Sequence, residues 1–224
     1  MIIGIYGSGG LGREVLDIVL ACSVAKTQKK RVFFIDDFKD EQLINSVKVL
    51  SFEAFKNISN PENATISIAI GEPKVRHALR KKVIDSGYSL QTLVHPTSFI
   101  GTDTKIESGA IIQFGSFVSC NTIIGTNVLI QPNASIGHDS VIGNDSVLSP
   151  FVAISGFCTI GKRVYIGNSV PVREKVSIGA DSIVGMGSVV MRNIPENVVA
   201  LGNPARAMKE NASGYVFKHG ENTQ

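Results

Sequence analysis

Aliphatic side chains recur every six residues through the second half of the chain. Each place in the series holds Ile, Leu or Val, and a small or β-branched residue stands two places before it. An ordinary β-sandwich alternates with a period of two and would not keep a period of six over this length. The series comprises Val94, Ile100, Ile106, Ile112, Val118, Ile124, Ile130, Ile136, Ile142, Leu148, Ile154, Ile160, Ile166, Val172, Ile178, Val184 and Val190.

Three such repeats form one triangular coil of about 18 residues, with the aliphatic side chains pointing inward. The pattern therefore predicts a left-handed parallel β-helix of hexapeptide repeats over residues 94–200, with roughly six coils and no inserted loop. Because prisms of this kind expose a broad flat face, we expect a symmetric homotrimer, by analogy with similar proteins.

The first 93 residues show a different pattern, in which short apolar runs alternate with amphipathic stretches. Alternating strands and helices indicate a small α/β module with a parallel sheet, a half-Rossmann unit. The remaining residues, 201–224, are expected to form a C-terminal tail that is loose from Gly214 onwards. The pattern predicts strands at 2–6, 31–35, 65–70 and 90–94 and helices at 13–20 and 73–86.

A glycine-rich segment between the first strand and the first helix matches G-x-G-x-x-G at Gly7, Gly9 and Gly12. Such a turn lets the backbone approach a ligand, and a helix N-terminus favours an anion. The acids after the second strand, Asp36 and Asp37, could accept a hydrogen bond from a ribose or a base. A full dinucleotide fold needs two halves, so the module favours a mononucleotide or a nucleotide-linked sugar over NAD. A structural turn without a ligand stays open.

The repeats contain one histidine, His138, two places after the inward-pointing Ile136 and next to Asp139. This side chain is expected on or near the outer surface. A neighbouring carboxylate orients an imidazole and stabilises its protonated form, as a general base requires. A zinc site would need several histidines on neighbouring coils, so no metal is expected.

The composition excludes several classes. The net charge is +3 without a basic block, which argues against nucleic-acid binding. No apolar run is long enough to span a membrane, and the N-terminus does not have the pattern of a signal peptide. The three cysteines have no C-x-x-C spacing, which is typical of reduced thiols. We therefore expect a cytoplasmic protein without nucleic-acid or membrane partners.

The order of motifs resembles the bacterial sugar-nucleotide acetyltransferases of the hexapeptide-repeat class. These include the UDP-4-amino-sugar N-acetyltransferase of bacillosamine synthesis, its dTDP- and GDP-sugar relatives, and the sialic-acid O-acetyltransferase-like proteins. The resemblance rests on the glycine-rich turn, Asp36-Asp37-Phe38, Ala69-Ile70-Gly71, the unbroken repeats with His138-Asp139, and Gly202-Asn203-Pro204-Ala205-Arg206. The last of these motifs, residues 202–206, either contacts a phosphate of coenzyme A or only leads the chain out of the β-helix.

The resemblance implies a function. Acetyl-CoA would donate an acetyl group to the amine of a UDP- or dTDP-linked 4-amino-4,6-dideoxy sugar, for surface glycan synthesis. His138 would be the general base, assisted by Asp139, in a direct attack. Expected sugar-nucleotide contacts are Gly9, Gly10, Leu11, Asp36, Asp37 and Glu72. Expected acetyl-CoA contacts are Gly156, Asn168, Gly185 and Met186, with a backbone N–H near Gly156 facing the oxyanion.

Three departures from the bacillosamine enzyme concern the substrate rather than the mechanism. That enzyme has histidine where this chain has Leu11, another histidine where it has Val147, and glutamate where it has Asp139. Two other functions stay open: acetylation of a sugar hydroxyl with the same base and donor, and a non-catalytic prism that serves as a nucleotide-binding scaffold.

Overall fold

The computed structural model describes residues 1–22, 31–39 and 42–217. Part of the predicted tail, residues 218–224, lies outside these ranges. The described part has an N-terminal module and a prism. The module contains β1 (Ile2–Tyr6), α1 (Gly10–Ala21), β2 (Arg31–Ile35), β3 (Leu43–Ile44), β4 (Val47–Leu50), α2 (Phe52–Ile58), β5 (Ala64–Ile68), α3 (Pro73–Asp85) and β6 (Ser89–Leu90).

The module sheet has the strand order β3-β4-β2-β1-β5-β6, and its strands are parallel except that β3 is antiparallel to β4. The predicted strands at 2–6 and 31–35 are confirmed, whereas residues 43–58 form two strands and a helix that the sequence analysis did not predict. Their signal was available: Ser51 caps α2 by accepting a hydrogen bond from the Ala54 N–H, and Phe52 and Phe55 supply the buried helix face.

The single strand predicted at 90–94 is wrong. Its first part belongs to β6 in the module sheet, and its last part is the first prism strand, because Gln91 and Thr92 separate the two pairings. The prism strands are β7 (Leu93–Val94), β8 (Phe99–Ile100), β9 (Lys105–Ile106), β10 (Ile111–Ile112), β11 (Phe117–Val118), β12 (Ile123–Ile124), β13 (Leu129–Ile130), β14 (Ser135–Ile136), β15 (Val141–Ile142), β16 (Val147–Leu148), β17 (Ala153–Ile154), β18 (Thr159–Ile160), β19 (Tyr165–Ile166), β20 (Pro171–Val172), β21 (Ser177–Ile178), β22 (Ile183–Val184), β23 (Val198–Gly202) and β24 (Ala205–Glu210).

Parallel pairing 18 residues apart builds the prism; Ile111, for example, pairs with Leu129. The predicted aliphatic positions from Ile112 to Val190 are buried in one continuous core, with the first three packed against it. This confirms the left-handed parallel β-helix. At most of its corners a non-glycine residue has φ near +57°, Asn121 and Asp139 among them, and Asn and Asp tolerate this conformation better than most residues.

Three flat faces make up the prism. The module face consists of β7, β10, β13, β16, β19 and β22, the second face of β8, β11, β14, β17 and β20, and the third face of β9, β12, β15, β18 and β21. Outward side chains of the module face, such as Ile111 and Leu129, pack with Val15 and Val19 of α1 in one buried cluster. The chain's own module therefore covers this face.

A buried polar network also joins the module to the prism. Arg76 on α3 is fully buried and donates hydrogen bonds to the backbone oxygens of Ile68, Ile70 and Asn127 and to Asn127 Oδ1. Burial lowers the pKa of this guanidinium to about 9, against the opposing effect of Asp145. Because a buried charge must be fully hydrogen-bonded to be tolerated, the network fixes α3 at one edge of the prism.

The described residues beyond the last coil, 201–217, make defined contacts with the rest of the chain. Strands β23 and β24 form an antiparallel hairpin on the end of the module face, with a cis peptide bond between Asn203 and Pro204. Residues 211–217 then return to the module, where Glu72 accepts hydrogen bonds from the backbone of Val216 and Phe217. The prediction of a loose segment from Gly214 is therefore wrong for residues 214–217.

Candidate active site

His138 and Asp139 lie at the corner between β14 and β15. Asp139 Oδ2 is 2.7 Å from His138 Nδ1, and its Oδ1 accepts a hydrogen bond from Asn121 Nδ2 at 3.3 Å. Because a carboxylate can only accept, this contact places the proton of a neutral imidazole on Nδ1 and leaves the Nε2 lone pair free. The His138 side chain is 51% exposed, so a ligand can approach the imidazole.

The residues of the next coil hold the imidazole ring in position. Gly156 occupies the place 18 residues after His138, and a Cβ atom there would approach the ring to 2.8 Å. Phe157 packs its ring edge-on against the imidazole, with centroids 5.0 Å apart. Asn121 and Phe157 were not predicted, although the 18-residue period aligns both with Asp139 and so places them beside His138.

The position of His138 in the prism constrains how a substrate can reach it. His138, Asp139 and Gly156 lie on the edge where the second and third faces meet, which we call the far edge because it lies opposite the module face. The other three residues expected to contact acetyl-CoA, Asn168, Gly185 and Met186, lie together on the edge between the module face and the second face. Within one protomer the structure therefore places Gly156 beside His138 and the other three at a different edge.

A cavity of about 780 Å³ opens in the module at the carboxyl ends of β1, β2 and β5. In open α/β sheets this is the side on which ligands bind. The lining includes the predicted Asp36 and Asp37 but none of Gly9, Gly10, Leu11 and Glu72. The cavity is lined by Tyr6, Gly7, Ile35, Asp36, Asp37, Phe38, Ile70, Lys74, Val75, Ala78, Leu79, Lys82 and Tyr215.

Asp37 is held by three different elements of the module. Its carboxylate accepts hydrogen bonds from Tyr6 Oη, from Lys82 Nζ at 2.7 Å and from the backbone N–H of Phe52 at 2.8 Å. Burial works to raise the pKa of Asp37, but the hydrogen bonds from Lys82, Phe52 and Tyr6 outweigh it and lower the pKa below its usual value. Its position at the cavity is therefore fixed by the fold.

The glycine-rich turn lies next to this cavity and is tied to Asp36, which accepts a hydrogen bond from Ser8 Oγ. The fold itself requires glycine at two of these positions. Gly7 has φ +110°, which residues with a side chain rarely adopt, and a Cβ on Gly12 would clash with the carbonyl oxygen of Gly7. A Cβ on Gly9, in contrast, would meet no atom within 4 Å. The backbone at Gly9 thus borders open space at the start of α1, where a ligand could approach.

Glu72 has a different role in the structure from the one expected. Its side chain is only 3% exposed, and Oε2 accepts the N–H groups of Val216 and Phe217 at 2.9 and 3.0 Å. Because this oxygen already holds the returning C-terminal segment, Glu72 fixes that segment rather than lining the cavity.

Two other kinds of chemistry have little support in the described ranges. No group of three or more His, Cys, Asp or Glu side chains there could hold a metal ion. Cys158 lies in the prism core, and burial raises the pKa of its thiol, so it is a poor nucleophile.

None of the helices in the described ranges is long and apolar enough to cross a membrane.

Comparison with known proteins agrees with this architecture. Residues 2–83 match the family described as the PglD N-terminal domain, and residues 121–156 match the bacterial transferase hexapeptide family. WeeI from Acinetobacter baumannii AYE superposes with a TM-score of 0.87 at 30% identity, covering 93% of this chain and 100% of WeeI. PerB from Caulobacter crescentus, solved with CoA and GDP-perosamine, gives a TM-score of 0.83 at 28% identity, covering 93% and 98%.

The GDP-perosamine N-acetyltransferase of Escherichia coli O157:H7 is 30% identical over 116 residues, which is 49% of each chain. The match thus spans about half the length of that curated relative. The half-Rossmann module, the hexapeptide β-helix and the histidine on a prism edge together define a hexapeptide-repeat acetyltransferase. The chain belongs to the sugar-nucleotide N-acetyltransferase family of hexapeptide-repeat proteins.

Proposed function

We propose that this protein transfers an acetyl group from acetyl-CoA to the amine of a nucleotide-linked amino sugar, for surface glycan synthesis. The observation that carries the proposal is the contact of 2.7 Å between His138 Nδ1 and Asp139 Oδ2, which leaves Nε2 as an exposed base. A sugar amine is partly protonated at neutral pH, so a base is needed before or during its attack on the thioester.

The chemistry needs no covalent enzyme intermediate. Nε2 of His138 accepts the proton as the amine nitrogen bonds to the acetyl carbon, and the coenzyme thiolate leaves as the tetrahedral intermediate collapses. Gly156 lies beside the imidazole, and its backbone N–H is our candidate for stabilising the oxyanion. Asp139, steadied by Asn121, keeps the imidazole in the required tautomer.

The module cavity is our candidate site for the nucleotide of the acceptor. It lies at the carboxyl ends of the parallel strands, beside the open backbone of Gly9, where the start of α1 favours a phosphate. The family resemblance implies UDP or dTDP as the carrier and leaves GDP open. The relatives named for GDP-perosamine support GDP as a candidate.

The geometry supports a homotrimer in which protomers share each active site. His138 lies on the far edge, opposite the face that its own module covers, so an acceptor bound by that module would be on the wrong side of the prism. A neighbouring protomer could bring its module, or the edge with Asn168 and Met186, to the far edge. We therefore propose that acetyl-CoA lies between prisms, where it meets Gly156 of one protomer and the other three predicted contacts of its neighbour.

A thiol-release assay with acetyl-CoA tests the proposal. The acceptors are UDP-, dTDP- and GDP-linked 4-amino-4,6-dideoxy sugars, with the matching 4-hydroxy sugars as controls. We expect CoA release with at least one amino sugar and none with its hydroxyl counterpart. Release with the hydroxyl sugars alone would favour the O-acetyltransferase, and no release with any acceptor would favour a non-catalytic scaffold.

A further inference from the structure

The segment at residues 211–217, here called the C-terminal strap, crosses from the end of the prism back to the module. Its first residue, Asn211, is 6% exposed and is held at the prism, where its N–H bonds to the carbonyl of Asn197 and its Nδ2 to that of Asp181. Its last residue, Phe217, packs edge-on against Tyr165 with centroids 5.6 Å apart. The strap is thus fixed at both ends.

Glu72 and Lys74 attach the strap to the start of α3. Glu72 Oε2 accepts two successive strap N–H groups, and the Glu72 side chain makes no capping hydrogen bond to its own helix. Lys74 Nζ donates to the carbonyl of Ser213 at 2.9 Å and lies 4.2 Å from the centroid of the Tyr215 ring. These contacts come from the helix that also forms one wall of the cavity, so the strap and this wall are held together.

The strap places Tyr215 in the wall of the module cavity. All other described residues of the lining lie between Tyr6 and Lys82, so Tyr215 is the contribution of the distant C-terminal segment. The surrounding lining is mainly apolar, with Ile70, Val75 and Leu79 on the α3 side. An aromatic ring in such a wall suits the planar base of a nucleoside, because base–aromatic stacking is favourable for every base.

We infer that Tyr215 is a binding residue for the nucleoside of the acceptor and that Glu72 is the positioning residue that holds it there. This inference rests on the proposed function, in which the cavity receives a nucleotide. It assigns Glu72 an indirect role through the strap instead of a direct contact with the ligand.

The test is the Kd of UDP, dTDP and GDP, measured by calorimetry without acetyl-CoA, for wild-type protein and for Tyr215→Ala, Tyr215→Phe and Val216→Ala. We expect Tyr215→Ala to weaken the preferred nucleotide at least about tenfold, which is the loss of one base–aromatic stack. Tyr215→Phe keeps the ring and should restore most of the affinity. Val216→Ala is the matched control, because Val216 uses its backbone to bind Glu72 and does not line the cavity.

A double-mutant cycle tests the positioning role of Glu72. Glu72→Ala should weaken the nucleotide to a similar degree, Glu72→Gln should restore part of the affinity through its amide oxygen, and Glu72→Ala with Tyr215→Ala should be no worse than either change alone. The KM for acetyl-CoA should stay within about twofold throughout, which assigns the loss to the nucleotide site rather than to the acetyl-CoA site.

Two failures can be told apart. If wild-type protein binds no nucleotide, the proposed function is wrong and the inference falls with it. If wild-type protein binds a nucleotide while Tyr215→Ala leaves its Kd within about twofold, the inference alone is overturned.

Discussion

A Cβ atom on Gly156 would lie 2.8 Å from Cε1 and Nε2 of His138. The two residues occupy equivalent places on consecutive coils, so the absence of a side chain at residue 156 gives the imidazole its room. The period of the β-helix therefore links the position of the base to the residue one coil further on, which is also the candidate oxyanion donor.

Gly156→Ala should lower kcat at least about tenfold, because the imidazole must move and small misplacements of a catalytic group are costly. The fold should persist, since the φ angle of Gly156 is open to other residues. Steady-state kinetics and thermal unfolding measure the two effects. Thr102→Ala, two coils before His138 on the same edge, is the control. An unchanged kcat in Gly156→Ala would show that the catalytic position of the imidazole does not depend on the missing side chain at residue 156.

Asp139→Asn isolates the chemical role of the carboxylate. Asn tolerates the positive φ of this corner and already occupies the equivalent place at residue 121, so stability should change by less than about 1 kcal/mol. The kcat should fall at least about tenfold, because an amide no longer stabilises the imidazolium that forms as the proton is taken. Asp103→Asn, at the same kind of corner, should retain full activity. Equal losses in the two variants would contradict a special role for Asp139.

Much of the architecture could be predicted because it repeats. A six-residue period places every coil, and it would also have placed Asn121 and Phe157 next to His138 if each edge had been followed coil by coil. The contacts of Asp37 with Tyr6 and Lys82 carry no such signal, because they join residues from separate elements. Glu72 was expected at the ligand for the same reason: nothing local in the sequence shows that residues 216 and 217 return to it.

Asp145 should make the stability of the protein depend on pH. Burial works to raise the pKa of Asp145, but hydrogen bonds from Arg80, Asn127 and His77 outweigh it and lower the pKa. The carboxylate therefore stabilises the fold above its unfolded pKa of about 3.9, and this contribution is lost as the pH falls through the lower folded pKa.

Asp145→Asn should thus lower the free energy of unfolding by about 3–5 kcal/mol at pH 7, because it removes the buried carboxylate that pairs with Arg80 and favours the charge of the buried Arg76. The difference from wild-type protein should shrink below about pH 4. Urea unfolding at pH 7 and at successively lower pH measures it, with the exposed Asp103→Asn as the control. If the difference in free energy of unfolding were the same at every pH, residue 145 would stabilise the fold through its packing rather than through its charge.

Mixed assemblies test whether protomers share the active site. His138→Ala removes the base, and Gly9→Trp adds a bulky side chain beside the glycine-rich turn, at a position where a Cβ atom would meet nothing within 4 Å. If the base and the acceptor module come from different protomers, co-expression of the two inactive variants should restore up to about a quarter of the sites in a random trimer. No gain over either variant alone would mean that one protomer builds the whole site.

The most direct measurement is the rate of CoA release by His138→Ala with the best nucleotide-linked amino sugar, compared with wild-type protein at saturating acetyl-CoA. A general base contributes about 10²–10⁴-fold, so kcat should fall by that factor while the Kd of the nucleotide stays unchanged. A variant that keeps its kcat within about threefold would contradict the assignment of His138 as the base on which the proposed function depends.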